Sequence, residues 1–432
     1  MSLTNKILLG MVLGTIVGII FNVALGINQD QSQIGGLSQW LQMFVIDGLF
    51  DAVGKIFIAS LKMLVVPLVF VSLVCGAAAL GGQSRMGPMA GKTLGLYLCC
   101  TSFAVALSIA CAVFIQPGAD VGIPTASNFT APEIPSIKDT LIDIVPSNPL
   151  QSMVEANMLQ IIIFSILFGL AISRTGGEAA GNMVVFFNNL NDVIIRMVMM
   201  LMQLAPYGIF CLLAKLFSSL GVGVILDLAK YFFTVVLVLF LHGIGVYGAL
   251  IKILSGLSPV IFFKKMQKVM LFAFSTASSN ATIPITLRTV EHDLGVDNKV
   301  ASFSVPLGAT VNMDGTAIMQ GVATVFIAQA YNIDIGIAGY LMVILTATLA
   351  SIGTAGVPGV GLVTLTMVLQ SVGLPVEGIA LIIGVDRLLD MIRTGVNVAG
   401  DAVIAVIVAK SEKMLDVERY NNPTLNAEND PA

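Results

Sequence analysis

The stretch from Ile7 to Leu25 is uncharged and almost wholly apolar, and apolar runs of similar or greater length recur down the chain. A helix needs about 20 such residues to cross a hydrocarbon layer roughly 30 Å thick. Each run is therefore long enough to span a bilayer. Of the 432 residues, 56% are apolar and only 11% charged, against about 25% charge in a soluble domain. A water-facing coat on this chain would be starved of charge, whereas lipid tolerates an apolar exterior. The chain therefore reads as an all-α, multi-pass membrane protein. The first run follows Lys6 without a small-x-small cleavage site, so it is expected to be a retained helix and not a signal peptide.

Several function classes fall away at this level. Net charge is -4 with no basic tract, which excludes the cationic surface that nucleic-acid binding needs. Lys264, Lys265 and Lys268 form the densest basic cluster and read as a cytoplasmic loop. The five cysteines (Cys75, Cys99, Cys100, Cys111 and Cys211) lie in or beside apolar runs, and their spacing gives no zinc set with His242 or His292. They read as small buried hydrophobes. No G-x-S-x-G, H-E-x-x-H or Walker A sequence is present, so no enzyme chemistry is expected.

In the N-terminal half, Leu41–Leu80 is too long for one perpendicular span and is expected to divide into an interfacial helix and a tilted span. Trp40 and Phe44 suit the membrane interface. Further spans are expected at Leu94–Ile115, Leu159–Ile172, Val193–Phe217 and Ile225–Ile251. Residues 116–150 are rich in proline and acid and read as an external loop. Lys6, Arg85, Lys92, Lys410 and Lys413 place both termini in the cytoplasm by the positive-inside rule. The tail from Val417 onward is polar and is expected to be disordered.

The C-terminal half has a different grammar. Leu271–Leu287 is interrupted from Ser275 to Pro284, and Met342–Leu369 from Ser351 to Gly361. Runs of Gly and a Pro without an amide hydrogen penalise a continuous helix. Broken backbone at membrane depth is tolerated only inside protein or beside a cavity. Each segment is therefore expected to form two half-helices meeting at a non-helical tip, a common way for transporters to build a site. Between and after them lie two polar segments. Gly308–Thr316 carries Asn312 and Asp314 next to Gly315, and local unwinding there would free carbonyl oxygens suited to Na⁺. Ile379–Lys410 carries Asp386, Asp390, Arg393, Asn397 and Asp401, spaced 4, 3, 4 and 4 apart along one helical face. Charges at membrane depth are costly unless paired or watered. One arginine cannot neutralise three carboxylates, and Arg387 lies toward another face, so the surplus points to a bound cation. Hard oxygen donors predominate, which disfavours a transition metal. Asp390 suits an ammonium and Arg393 a carboxylate.

This set of segments resembles the dicarboxylate/amino acid:cation symporter family, which includes archaeal aspartate transporters and animal excitatory amino acid transporters. The resemblance runs from about Asn5 to Lys413. It rests on Asn312-Met313-Asp314-Gly315-Thr316, the two tips, the Asp390–Asp401 helix, and Lys62-Met63-Leu64-Val65-Val66-Pro67. It implies eight transmembrane helices and two re-entrant helical hairpins flanking helix seven, a homotrimer in lipid, and an elevator mechanism. Scaffold helices would fall at 1–70 and 126–252, transport-domain parts at 71–125 and 253–413, and a tail at 414–432.

Residue by residue, the resemblance implies substrate contacts from Ser279, Asn280, Thr316, Val357, Gly361, Asp390, Arg393, Thr394 and Asn397. For Na⁺ it implies one site from Gly308, Asn312, Asn397 and Asp401. A second would comprise Thr310, Met313, Ser351, Ile352 and Thr354, and a third Thr101, Ser102, Asn312 and Asp314. The chain departs from the pattern in having Leu98, beside Tyr97, where a tyrosine is frequent. Asn280 replaces a common serine. Ala277 and Met391 stand where an additional arginine is often found, which leaves Arg387 as the candidate auxiliary charge.

The expected function is secondary active symport of L-aspartate or L-glutamate, without a cofactor. Na⁺ is the coupling ion, and the cell membrane, in a bacterium the inner membrane, is the location. A dicarboxylate without an amine would not need Asp390. Proton coupling through Asp401 and dicarboxylate transport remain the alternatives within the fold. A channel or receptor role is the alternative outside it.

Overall fold

The computed structural model describes residues 3–25, 36–81, 87–119, 121, 145–155, 157–220, 223–352, 354 and 356–422. Most of the 116–150 loop, Arg85, and the tail after residue 422 lie outside the described residues. Among the described residues every regular element is helical, and the one strand-like contact is a bridge between Val296 and Leu415. Among the described residues six helices are long and apolar enough to cross a membrane: Asn5–Val23, Ser38–Ala78, Pro88–Ile115, Gly177–Met202, Asp227–Ser255 and Val376–Ser411. Large apolar side chains such as Val12, Ile20, Met43, Ile56 and Phe103 are exposed along them. Such a surface is stable against lipid and not against water.

Two groups of helices are apparent from their packing. In the first, α1 (Leu3–Leu25) lies along α2 (Ala205–Leu220). Gly10, Gly14 and Gly18 recur every four residues and form one stripe. A Cβ on each would lie 2.5, 2.5 and 2.7 Å from the carbonyl oxygens of Pro206, Phe210 and Ala214. Small residues at this spacing let two membrane helices touch backbone to backbone. The Asp51–Gly81, Met158–Thr175 and Gly177–Met202 helices complete this group.

The second group surrounds the polar helix, Ile379–Ser411, which is buried on nearly all sides. Pro259–Thr276, Asn298–Val311, Asp314–Ala330 and the run from Gly223 to Ser255 pack against it. The last of these was expected with the scaffold, within 126–252. It packs against the polar helix, and it carries Tyr231, His242 and Tyr247, all fully buried. The expected boundary at residue 70 likewise falls inside the Asp51–Gly81 helix.

Other differences have local causes. Leu41–Leu80 does not divide: π-helical turns at Leu41–Phe50 join Gly36–Trp40 to Asp51–Gly81, with helical backbone angles at Trp40 and Asp51. A π turn absorbs extra residues without ending the helix. Val193–Phe217 is not one span, since the chain turns at Gln203–Leu204. Pro206 has no amide hydrogen to continue the ladder. The start of the tail is ordered. Val417–Asn421 is a helix, with Tyr420 buried and its hydroxyl donating to Ser258 O at 2.9 Å. Asp297 N donates to Met414 O and Asp416 N to Gly295 O, so this segment ties the polar helix to the base of the first hairpin.

Both expected tips are present. Pro259–Thr276 and Ser279–Arg288 meet at Ala277 and Ser278, where Ala277 takes a left-handed backbone (φ 49°) and the Ser278 side chain caps the second half-helix at Ala281 N. Gly336–Ser351 and Val360–Ser371 are separated by a break whose described residues are Ile352, Thr354 and 356–359, with Gly359 at φ 84°. The Asn298–Val311 and Asp314–Ala330 helices are separated at Asn312 and Met313, as Gly315 and the polar residues suggested.

Candidate functional site

The two tips meet over the middle of the polar helix. Gly356 O accepts from Ser278 Oγ at 2.7 Å and from Asn280 N at 3.1 Å. Beneath this seam is a cavity of about 20 Å³, lined by Ser279, Thr316, Val357, Gly361, Asp390, Thr394 and Asn397 together with Ala277, Met313, Thr354 and Gly356. That is room for about one water, so a solute the size of an amino acid enters only when the tips part. Seven of the nine expected substrate residues face the cavity.

Asn280 does not. Its side chain lines a separate cavity of about 340 Å³, bounded by Ser72, Asn188 and Asn191 of the first helix group. Ser279 already points inward, and the next residue of a helix lies about 100° further round. Asn280 thus sits at the seam between the two cavities, with its backbone N donating to Gly356 O of the second tip.

Arg393 lies just behind the pocket wall, buried to 1%. Its Nη1 donates to Asp386 Oδ1 at 2.7 Å and its Nε to Asp390 Oδ1 at 3.0 Å. Nη2 also lies 3.0 Å from Asp390 Oδ1 but is too poorly aligned to bond, so among the described residues it is a buried donor without a hydrogen-bond partner. It points at Gly361, where a Cβ would come within 2.7 Å of it. Arg387 was expected to lie toward another face, yet its Nη1 stands 3.4 Å from Asp390 Oδ2. Two carboxylates and two guanidiniums thus form one balanced buried cluster. Asp390 Oδ2 also accepts from Gly359 N at 3.2 Å, which ties the second tip to the polar helix. The Thr394 hydroxyl is turned to Asp390 O at 2.6 Å.

Of the first expected cation set, Gly308, Asn312 and Asp401 come together, while the Asn397 side chain is turned to Gly315, Met313 and Thr316. Asn312 Nδ2 donates to Asp401 Oδ1 at 3.1 Å, while Asn312 Oδ1 is a buried acceptor with no partner among the described residues. Gly308 presents bare backbone to Asp401, since a Cβ there would collide with the carboxylate. Asn397 is oriented by Gly315 N, which donates to its Oδ1 at 2.7 Å. A carboxylate, an unsatisfied amide oxygen and backbone freed by the helix break are the hard donors Na⁺ takes.

Residues 3–411 match the sodium:dicarboxylate symporter family. The chain belongs to that family. It is 34% identical over 424 residues to the proton/sodium-glutamate symport protein of Bacillus subtilis (strain 168), covering 96% of this chain and 94% of the relative. It is 35% identical over 426 residues to the proton/glutamate-aspartate symporter of Escherichia coli (strain K12), again covering 96% and 94%. With human excitatory amino acid transporter 3 the identity is 33% over 464 residues, covering 95% of this chain and 86% of that one. The chain is thus a membrane transporter with the elevator-type fold of its family, and not an enzyme.

Within this symporter the residues of the second expected cation set are distributed over the helix break and the second tip. Ser351 Oγ donates to Val311 O at 3.2 Å, which seats the second tip on the break, and Met313 Sδ accepts from Asn397 Nδ2 at 3.3 Å. Ile352 is buried beside them. The Thr310 and Thr354 hydroxyls are turned to Leu307 O and Ala350 O on their own helices.

The third set is divided. Thr101 Oγ1 donates to Asp314 Oδ1 at 2.5 Å, but Ser102 Oγ faces Leu98 O and Thr348, and Asn312 faces Asp401. Asp314 Oδ2 is held instead by His242 Nε2 at 3.0 Å and the Tyr247 hydroxyl at 2.8 Å. Cys100 Sγ lies 3.7 Å from His242 Nε2, so fold brings together groups that sequence spacing keeps apart. His242, Tyr247, Cys100 and Asp386 had no assigned role in the sequence. A histidine inside an apolar span was the available signal.

Gly361 offers a direct test of the guanidinium's placement. Gly361→Ala sets a methyl 2.7 Å from Arg393 Nη2 and 3.2 Å from Thr316 Cγ2. The expected result is at least a roughly tenfold loss of substrate affinity in a binding titration, with folding intact, because displacing one charge-assisted hydrogen bond costs about 1.5–3 kcal/mol.

Proposed function

We propose that this symporter couples uptake of L-aspartate or L-glutamate to Na⁺, working as a homotrimer whose second helix group slides as an elevator against the first. The observation that carries the reading is Arg393 Nη2, a buried donor without a hydrogen-bond partner behind Gly361, next to an acid, Asp390, that lines the same cavity. A solute with both an ammonium and a side-chain carboxylate matches this pair. Its carboxylate takes Nη2, and its ammonium takes the Asp390 oxygen that otherwise receives Gly359 N. The second tip then closes over substrate and not directly on Asp390. The names of the bacterial relatives, which print glutamate and aspartate as substrates, agree with this chemistry.

Na⁺ is favoured as coupling ion by the Gly308, Asn312, Asn397 and Asp401 set, whose unpartnered Asn312 Oδ1 is a ligand atom with nothing else to hold. The second set, on Thr310, Met313, Ser351, Ile352 and Thr354, is completed by the closing tip, which links cation binding to closure. Protons are the second reading, supported by the buried Asp401 and by relatives named for both ions. The proposed location is the cell membrane, the inner membrane in a bacterium, with both termini cytoplasmic.

A binding titration on purified protein tests the substrate class. L-Aspartate or L-glutamate should bind in Na⁺, with succinate at least about tenfold weaker for want of the Asp390 contact. Equal affinity for succinate, or binding unaffected by sodium removal, would contradict the proposal.

A further inference from the structure

Asp314 and Asp401 are both fully buried acids beside the same helix break, yet they are solvated differently. Among the described residues Asp401 receives one hydrogen bond, from Asn312, whose own oxygen has no partner there. Asp314 receives three, from Thr101, His242 and Tyr247. An ionised carboxylate can only accept, so an ionised Asp314 takes the hydrogen of His242 Nε2, and Nδ1 has no hydrogen-bond partner among the described residues.

This arrangement is built, and not incidental. The π-helical turn Leu241–Val246 brings His242 and Tyr247, five residues apart, onto one face, with ring centroids 4.7 Å apart and edge to face. In a plain α-helix residues at that spacing diverge by about 140°. Short π segments inside helices often mark functional positions. Gly400 of the polar helix makes the seat for the phenol, since a Cβ there would collide with the Tyr247 hydroxyl and come within 2.6 Å of Asn312 Nδ2. Thr101 approaches from a third helix, Gly87–Ile115.

We infer that His242 and Tyr247 are positioning residues that solvate the Asp314 charge from within the protein, so that the transport domain can cross the membrane without a cation at that carboxylate. The inference rests on the proposed sodium-coupled symport. A carrier cycle has a loaded crossing and an empty one, and buried charge is costly in whichever of them lacks a counter-charge. Donors that serve Asp314 in the empty form stabilise that form selectively. Removing one makes the empty crossing slower and makes Asp314 a stronger attractor for a cation.

The direction of the effect distinguishes this role from a structural one. Tyr247→Phe keeps the ring and removes one hydrogen bond to a charged group, worth about tenfold or more. In proteoliposomes, net uptake, which requires the empty return, should fall by about tenfold, while exchange of internal for external substrate falls far less. In purified protein the Na⁺ concentration for half-maximal substrate binding should fall. His242→Phe should shift all three quantities the same way, and His242→Gln, which keeps an N–H donor, should restore them toward wild type. Equal losses of net uptake and exchange, a higher Na⁺ requirement, or no rescue by glutamine each overturn the inference. If Tyr247→Phe does not fold, the His242 pair decides alone. A wild-type protein without sodium-driven uptake or exchange would instead refute the underlying function, so the two failures are separable.

Discussion

Arg393→Ala is expected to weaken binding of L-aspartate and L-glutamate by at least about 100-fold, the cost of losing both the Nη2 hydrogen bond and the positive charge behind it in a dry site. The arginine has two jobs in this geometry. Nη1 and Nε balance Asp386 and Asp390, while Nη2 faces the pocket through the gap left by Gly361. Alanine removes both, and losing one partner of a buried ion pair costs about 3–5 kcal/mol of stability. Asp386→Asn in the same chain removes one of the stranded charges and should recover folding without recovering affinity. The two effects therefore separate in a paired measurement of thermal stability and ligand binding. The preference for acidic over neutral amino acids should collapse in both variants. Unchanged affinity for aspartate and glutamate would remove the substrate argument altogether.

Asp401→Asn should have the second largest effect, and on the cation. Asparagine has the same shape, and its Oδ1 still accepts from Asn312 Nδ2, so the packing around Gly308 is retained. Only the charge is lost. Coulomb attraction between an ion and a carboxylate in partial contact amounts to several kcal/mol even at an effective dielectric near 20. The Na⁺ concentration giving half-maximal substrate binding is therefore expected to rise about 100-fold or more. Substrate affinity extrapolated to saturating Na⁺ should change much less, because Asp401 does not line the substrate cavity. A sodium titration of substrate binding reads both numbers. An unaltered sodium requirement would exclude Asp401 as a ligand.

Legibility in the sequence followed the range of the interactions. The polar helix was readable because its five polar positions repeat at helical spacing, so one face follows from local geometry. The tips were readable because Gly and Pro act locally on the backbone. The break at Asn312 and Met313 was readable for the same reason. What the sequence did not disclose depends on contacts between distant segments. His242 and Tyr247 reach Asp314 across about 70 positions, and only through a π turn that no local pattern announced. Asp386 looked like one more unpaired acid until Arg393 folded back on it. Arg387 was placed on another face by helical geometry of the Cα atoms, but a long side chain reaches sideways to Asp390. Asn280 was grouped with its neighbour Ser279, whereas consecutive helical residues diverge. The polar composition of residues 417–421 suggested disorder, yet the segment is anchored by Tyr420, buried against the first hairpin's base, and by Arg419, which donates to His292 O and accepts from Lys265.

Concentrative uptake in proteoliposomes tests the central claim most directly. With an inward sodium gradient and no proton gradient, L-aspartate or L-glutamate should accumulate above its external concentration. With sodium removed and an inward proton gradient imposed, accumulation should be lost. Full uptake in the second condition, or no accumulation in the first, would contradict sodium-coupled symport of acidic amino acids by this chain.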